Sequence, residues 1–461
     1  MIVRIFLYLL AGILISKAVA AAPQTAISGT QRLSEKPTIN AEEYSTDLVQ
    51  LYQESRLQDP RILAAYARTQ AAKEYQKEAL GALLPQISAN AGSNRIKQSN
   101  QLQEEVYNNE NYSIGLSQII YNKKAWENYQ KQKSLINQSL SEEEETHAQA
   151  TVDLVQRYFS ALVADDELVL LRAELRATQK NLDRVSALYK KNYTKITDVL
   201  DLKARLDSLT AQEVDAHNQI RLSRAELSEI VGRPITEKLS RLRNDADLKM
   251  RDESLENWVQ LAQLKNPSIK ANLSAVEAAE ANVRAGKGDH YPTLSLNLRA
   301  QNTNEGYNNA LAPKTDNYVA GIALSVPIYS GGSTSARARA LYHDQAAAEQ
   351  QLELSRRRVV KETTNAYLNV DSTIEKIRAN RNALASAEQS SIASNKAFEY
   401  GVVNATDVLT SVQNEFKARR ELLKTQYDFI TNLFILNQWA GKPPGETIES
   451  VNVWLNYDSH P

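Results

Sequence analysis

Few of the 461 residues have the types and spacing that chemistry needs. There is no Cys, so a disulfide framework, a thiolate metal site and a cysteine nucleophile are all ruled out. The five His residues (His147, His217, His290, His343 and His460) are scattered singly. Three carboxylates, Asp198, Asp201 and Asp407, stand just past two short turn segments at the start of apolar-periodic stretches. In a first helical turn such an acid favours the helix dipole by about 0.3–1 kcal/mol. Ser330 to Thr334 is rich in Gly but has no Lys at phosphate-loop spacing. The run Glu142 to Glu145 reads as a solvated helix face. With no nucleophile–base pair, metal cluster or nucleotide motif, the sequence predicts no enzyme and no cofactor. A balance of 54 basic and 55 acidic residues excludes a nucleic-acid binder acting through bulk positive charge.

The elements that position these acids begin after a targeting segment. Met1 to Arg4 is a short basic start and Ile5 to Ile15 an apolar run, too short to cross a bilayer and suited to a signal sequence. Ala18-Val19-Ala20 fits a small-x-small cleavage site, so residues 1–20 are expected to be removed after Ala20. Without Cys, a lipid-anchored mature N-terminus is not expected. No later stretch is long and apolar enough for a membrane helix, so any membrane span must be made of strands.

Beyond that segment the chain is written twice. Asp59-Pro60-Arg61-Ile62 returns as Asn266-Pro267-Ser268-Ile269, and Leu84-Pro85-Gln86 as Tyr291-Pro292-Thr293. Leu116-Ser117 with Ile120-Tyr121 returns as Leu324-Ser325 with Ile328-Tyr329, Tyr158 as Tyr367, Thr197-Asp198-Val199-Leu200 as Thr406-Asp407-Val408-Leu409, and Gly232 as Gly441. The spacing stays between 207 and 209 positions throughout, the mark of a tandem duplication rather than a short solenoid repeat. The expected organisation is a signal peptide at 1–20 and an N-terminal extension at 21–40. A first repeat follows at 41–240, with strands about 85–97 and 111–121, then a second at 241–445, with strands about 292–302 and 317–328, and a tail at 446–461.

Each repeat reads as a helix, two strands and two long helices. Leu294, Leu296, Leu298 and Ala300 alternate with polar residues, and Tyr318, Ala320, Ile322, Leu324 and Val326 alternate with small ones. Period two with one apolar face, over about ten residues, suits a tilted membrane strand. The Asn-rich linkers Gln98 to Glu110 and Asn302 to Asp316 read as exposed loops. From Lys123 to Lys191 there is neither Pro nor Gly, enough for a helix on the order of 100 Å long. Apolar residues within it recur at coiled-coil spacings, and the stretch Thr334 to Tyr400 repeats the pattern. Asn192 and Gly401 look like left-handed helix stops, with Thr197 and Thr406 as N-caps of the helices that follow. Four strands per chain cannot close a membrane barrel, which needs about eight, so several copies must share one wall.

These features, with the string Leu324-Ser325-Val326-Pro327-Ile328-Tyr329-Ser330-Gly331-Gly332 as the most specific piece, resemble the TolC-like outer-membrane channel family over residues 40 to 445. The resemblance implies a mainly α fold with a membrane β-barrel: a homotrimer whose twelve-stranded barrel in outer-membrane lipid stands on a twelve-helix periplasmic tunnel. It implies a passive export duct docked to a periplasmic adaptor and an inner-membrane ABC or proton-driven transporter. By the same resemblance Asp407, with Asp198 and Asp201 as further candidates, contributes to an acidic ring at the periplasmic mouth. The turns Tyr193-Thr194-Lys195-Ile196 and Val402-Val403-Asn404-Ala405 are then the adaptor contacts. The sequence departs from the family where a closed-state latch is expected: Val403 and Phe398 stand at the latch positions, and Thr410 stands where a second aspartate often follows. The competing reading, a periplasmic coiled-coil adaptor or interaction protein, has the long helices but no use for four alternating strands.

Overall fold

The structure, a computed structural model, describes residues 45–99, 104–243, 246, 248–249, 254–306 and 314–456. The expected signal peptide (1–20) and N-terminal extension (21–40) lie outside the described residues.

The first half runs β1 (Ser45–Thr46), α1 (Leu48–Gln58), α2 (Pro60–Gly81), β2 (Gln86–Ser99), β3 (Glu104–Tyr121), α3 (Lys123–Lys190) and α4 (Ile196–Val231). Two short strands, β4 (Lys238–Leu239) and β5 (Arg241–Leu242), lead into the second half. That half repeats the order with α5 (Leu255–Lys265), α6 (Pro267–Gly288), β6 (Thr293–Glu305), β7 (Lys314–Ser325), α7 (Ser333–Glu399) and α8 (Ala405–Trp439). It closes with α9 (Pro444–Asn452) and β8 (Leu455–Asn456). The repeated Asp-Pro and Asn-Pro pairs now have a cause. Asp59 accepts from the Arg61 backbone N–H at 2.8 Å and Asn266 from that of Ser268 at 2.9 Å, each capping a helix that begins with Pro.

Strands β2, β3, β6 and β7 form one antiparallel sheet in that spatial order, leaving β2 and β7 at its edges. The register puts Ile87, Leu116, Leu298 and Ala320 in one row and Ala89, Ile114, Ala300 and Tyr318 in the next. One face is therefore apolar, while Asn90, Ser113, Gln301 and Asn317 share the other. The apolar side chains are not covered: every residue of β7 is exposed. The strands are longer than the sequence predicts. Much of the Asn-rich stretch expected as loop, Gln98 to Glu110, is ladder, because β3 begins at Glu104 and pairs back to Ser99. β7 instead starts early, at Lys314, and stops at Ser325, short of the expected 328. Pro327 has no N–H to give, and the outer edge of β7 has no neighbour within the chain.

The long helices fold back as hairpins. Near its start α3 lies against α6, where Glu127 meets Arg284 at 2.8 Å. The approach is close: a Cβ on Gly288 would sit 2.8 Å from the Lys124 nitrogen. Further along, α3 packs on α4 through Leu168, Leu171, Leu209 and Ala216. The main core lies where the short helices α1, α5 and α9 meet the long ones, around Leu51, Leu154, Tyr158, Phe429, Ile430 and Ile448. The Tyr158 hydroxyl donates to the Ser240 carbonyl at 2.8 Å. Helices α1 and α5 went unread in the sequence, and α9 lies in what reads there as a tail.

The acidic run Glu142 to Glu145 is only partly a solvated face. Glu142 and Glu144 are exposed, but Glu145 is half-buried, and desolvation pushes its carboxyl above the ordinary 4.5, partly opposed by Arg358. The folded chain thus holds this proton more tightly than the unfolded chain does. Glu145 is neutral in both states below about pH 4.5 and weakens the fold as pH rises past that value. Glu145→Gln is expected to raise the melting temperature at pH 7 and leave it unchanged at pH 4. A lower melting temperature at pH 7 would contradict this.

Candidate functional site: the hairpin tips

Each long hairpin turns on one left-handed residue, Asn192 (φ 62) in the first half and Gly401 (φ 72) in the second. The expected N-caps are not the ones used. Asn404, not Thr406, caps α8: its Oδ1 accepts from the Asp407 N–H at 2.8 Å, and its own N–H donates to Asp407 Oδ2 at 3.2 Å. This reciprocal box takes up two N–H groups that one Thr hydroxyl could not. At α4 the N-cap position is Lys195, which makes no side-chain cap, and Thr197 has no capping role. The Thr194 hydroxyl instead donates to Asp198 Oδ2.

The two turns line one cleft of about 820 Å³, which brings together Tyr193, Thr194, Lys195 and Asp198 with Val402, Val403, Asn404 and Asp407. Asp201 lies a turn further along α4 and does not line it, nor do Ile196 and Ala405. Ala405 is buried beside Val185, Leu202 and Leu409, where it holds the tips together instead of presenting a contact surface. Asp407 is exposed, so its capping role leaves the carboxylate in reach of solvent. The cleft mixes Arg184, Lys191 and Lys195 with Asp198, Glu399 and Asp407, an arrangement that can bind polar partners and screen ions but holds no reacting pair. Among the described residues, no cluster of His, Asp and Glu could hold a metal ion.

The residues at the latch positions act through packing. Phe398 lies against the apolar seams of both hairpins, with the Arg184 guanidinium 4.9 Å from its ring centre. Val403 packs on the seam around Val408, Val412 and Phe416. Thr410 is exposed, and its hydroxyl donates back along α8 to the Thr406 carbonyl at 2.9 Å.

Further along the hairpins lies a group that sequence reasoning missed. Glu174 of α3 is fully buried between Arg205 of α4 and Arg420 of α8, with Arg420 Nη2 2.8 Å from Glu174 Oε2. Arg420 also pairs with Glu167 at 2.7 Å. One carboxylate thereby ties the second hairpin to the first. The available signal was an acid at a buried position between Leu171 and Leu175, inside the heptad seam of α3.

The described chain is thus an amphipathic four-stranded sheet, open at both edges, carried on two long helical hairpins. No described helix is long and apolar enough to cross a membrane. Residues 51–233 and 258–442 match the profile of the family described as outer membrane efflux protein, one block in each half. The chain belongs to that family and is an outer-membrane channel protein. It is 29% identical over 422 residues to the outer membrane protein TolC of Vibrio cholerae, covering 91% of this chain and 96% of that one. It is 26% identical over 396 residues to the alkaline protease secretion protein AprF of Pseudomonas aeruginosa, covering 83% and 82%. The crystal structure of CusC, described as reporting transmembrane channel formation, superposes with a TM-score of 0.77 over 86% of this chain and 92% of that one, at 16% identity. That likeness is one of fold.

Proposed function

We propose that the chain is the outer-membrane exit duct of a tripartite export system. Three copies close one twelve-stranded barrel over a twelve-helix periplasmic tunnel. The duct performs no catalysis; it docks through its hairpin tips to a periplasmic adaptor and, through that, serves an inner-membrane ABC or proton-driven transporter. Residues 1–20 are then a cleaved export signal, 41–240 and 241–445 the two repeats, and the apolar sheet face meets lipid. The observation that carries this reading is the four-stranded sheet, apolar on one face and unpaired at both edges. In lipid each unpaired N–H and C=O costs several kcal/mol, so the sheet is incomplete without further copies. The names of the relatives, one a protease secretion protein, fit protein export; drug efflux uses the same duct and a different inner-membrane partner.

Deleting the gene tests the role. Loss of a secreted protein or a gain in drug sensitivity is expected, and no change in either would remove the export reading.

At the tips, Asp407 of three copies would form a ring that concentrates cations, with Asp198 in the same cleft and Asp201 a turn further along α4 as further candidates. The turns at Tyr193 to Ile196 and Val402 to Ala405 meet the adaptor. Asp407→Ala is expected to weaken block by multivalent cations in single-channel recordings, while Asp407→Glu retains it. Equal block in the wild type and the alanine variant would confine Asp407 to capping α8.

A further inference from the structure

The two halves repeat at fixed offsets, 207 positions from β2 to β6 and 208 from β3 to β7. The hairpin ladders obey these offsets: β2–β3 pairs Gln86 with Ser117, and β6–β7 pairs Thr293 with Ser325. Within the chain the halves meet at a seam between β3 and β6. It pairs Leu116 with Leu298 and Ile119 with Ser295, passes a bulge at Ile120, and resumes with Tyr121 opposite Leu294. The open edges are the repeat images of that seam, because β7 is the second copy of β3 and β2 the first copy of β6.

We propose that β7 of one copy pairs with β2 of the next in the register of this internal seam. Leu324 then lies opposite Ala91 of the partner subunit, Pro327 opposite Ser88 of the partner subunit, and Tyr329 opposite Ile87 of the partner subunit. The proposal rests on the exit-duct reading above and adds the register in which its wall closes, together with a strand extension that accompanies closure.

Two observations beyond the offsets themselves support the register. The first is the length of β7. Its image β3 is paired on both sides and runs to Tyr121, but β7 ends at Ser325, the image of Ser117. The residues left over are strongly exposed, Ile328 at 94% and Tyr329 at 87%. They are apolar side chains that a neighbour would cover. Pro327 falls on the image of Ile119, beside the bulge, where a residue without an N–H is tolerated in a sheet. The second is the facing. Leu324 and Ala91 both lie on the apolar face, and a slip of one residue would set apolar against polar along the whole edge. In this register Lys97 of the partner subunit also lies opposite Tyr318 and diagonal to Asp316, within reach of an opposite charge.

The absence of native Cys makes the register directly measurable, since every thiol is introduced. Leu324→Cys is combined in turn with Ala89→Cys, Ala91→Cys and Ser93→Cys, and the assembled protein is oxidised in detergent. Covalent trimer is expected to form about tenfold faster with Ala91→Cys, because diagonal positions stand near the limit a disulfide can bridge. Fastest coupling at Ala89→Cys or Ser93→Cys, or coupling at none, in protein that native mass spectrometry still finds trimeric would overturn the register and leave the duct standing. A monomeric mass would overturn both. Without any substitution, backbone hydrogen exchange at Tyr329, the image of the paired Tyr121, should slow on assembly, and equal exchange in monomer and trimer would count against the extension.

Discussion

An Ile322→Arg chain is expected to be lost from the assembled outer-membrane fraction, while an Asn317→Arg chain assembles as the wild type does. Both residues are exposed and both lie on β7, but the pleat sends them to opposite faces. Ile322 pairs with Leu296 on the apolar face, and Asn317 pairs with Gln301 on the polar one. A guanidinium on the lipid face near the middle of the bilayer costs about 2–4 kcal/mol, and a symmetric barrel would bear that cost once per copy. On the opposite face a water-filled lumen would accept the same group. The measurement is the amount of detergent-extractable trimer from each variant at equal expression. Equal assembly of the two would mean that the apolar face does not meet lipid. Assembly of Ile322→Arg with loss of Asn317→Arg would reverse the faces.

The second large effect is at Glu174. Glu174→Ala is expected to cost about 3 kcal/mol per chain, because it takes the buried carboxylate from Arg205 and leaves Arg420 with Glu167 alone. The value is taken at the low end of the usual range because Arg205 and Arg420 keep 23% and 25% of their side-chain exposure and regain some water. Glu174→Gln keeps the shape without the charge and should fall between the wild type and the alanine variant. Arg420→Leu removes one guanidinium and leaves Glu174 with Arg205, so it should be the milder break. Thermal melts of the helical circular dichroism signal in one detergent give the comparison. An unchanged melting temperature for Glu174→Ala would show that the second hairpin is held by its apolar seam alone.

The repeat was legible because both copies keep the residues that force local geometry. Asp59-Pro60 and Asn266-Pro267 start helices, and Asn192 and Gly401 end them. The long helices were legible from the absence of Pro and Gly, and the strands from their period of two. The hidden parts have physical reasons. Strand β3 extends through Asn and Glu residues that read as loop, since a sheet reaching past an apolar band needs no apolar side chains there. The short helices α1, α5 and α9 draw their stability from the shared core around Tyr158 and Phe429, a tertiary context that an 11-residue window cannot reveal.

At the tips the sequence marked the two turns, and the structure brings both to one cleft. The capping residues were misread because Asn404 and Asp407 satisfy each other's N–H groups across three positions. Glu174 was missed because its meaning depends on Arg420, 246 positions away.

The claim that all of this depends on is that one chain holds only a third of a membrane wall. Native mass spectrometry of the full chain, extracted by mild detergent from the outer-membrane fraction, tests it most directly. One dominant species is expected, with the mass of three processed chains, stable until the detergent is stripped. A single-chain mass in detergent, or recovery of the chain as a monomer in the aqueous fraction, would contradict it.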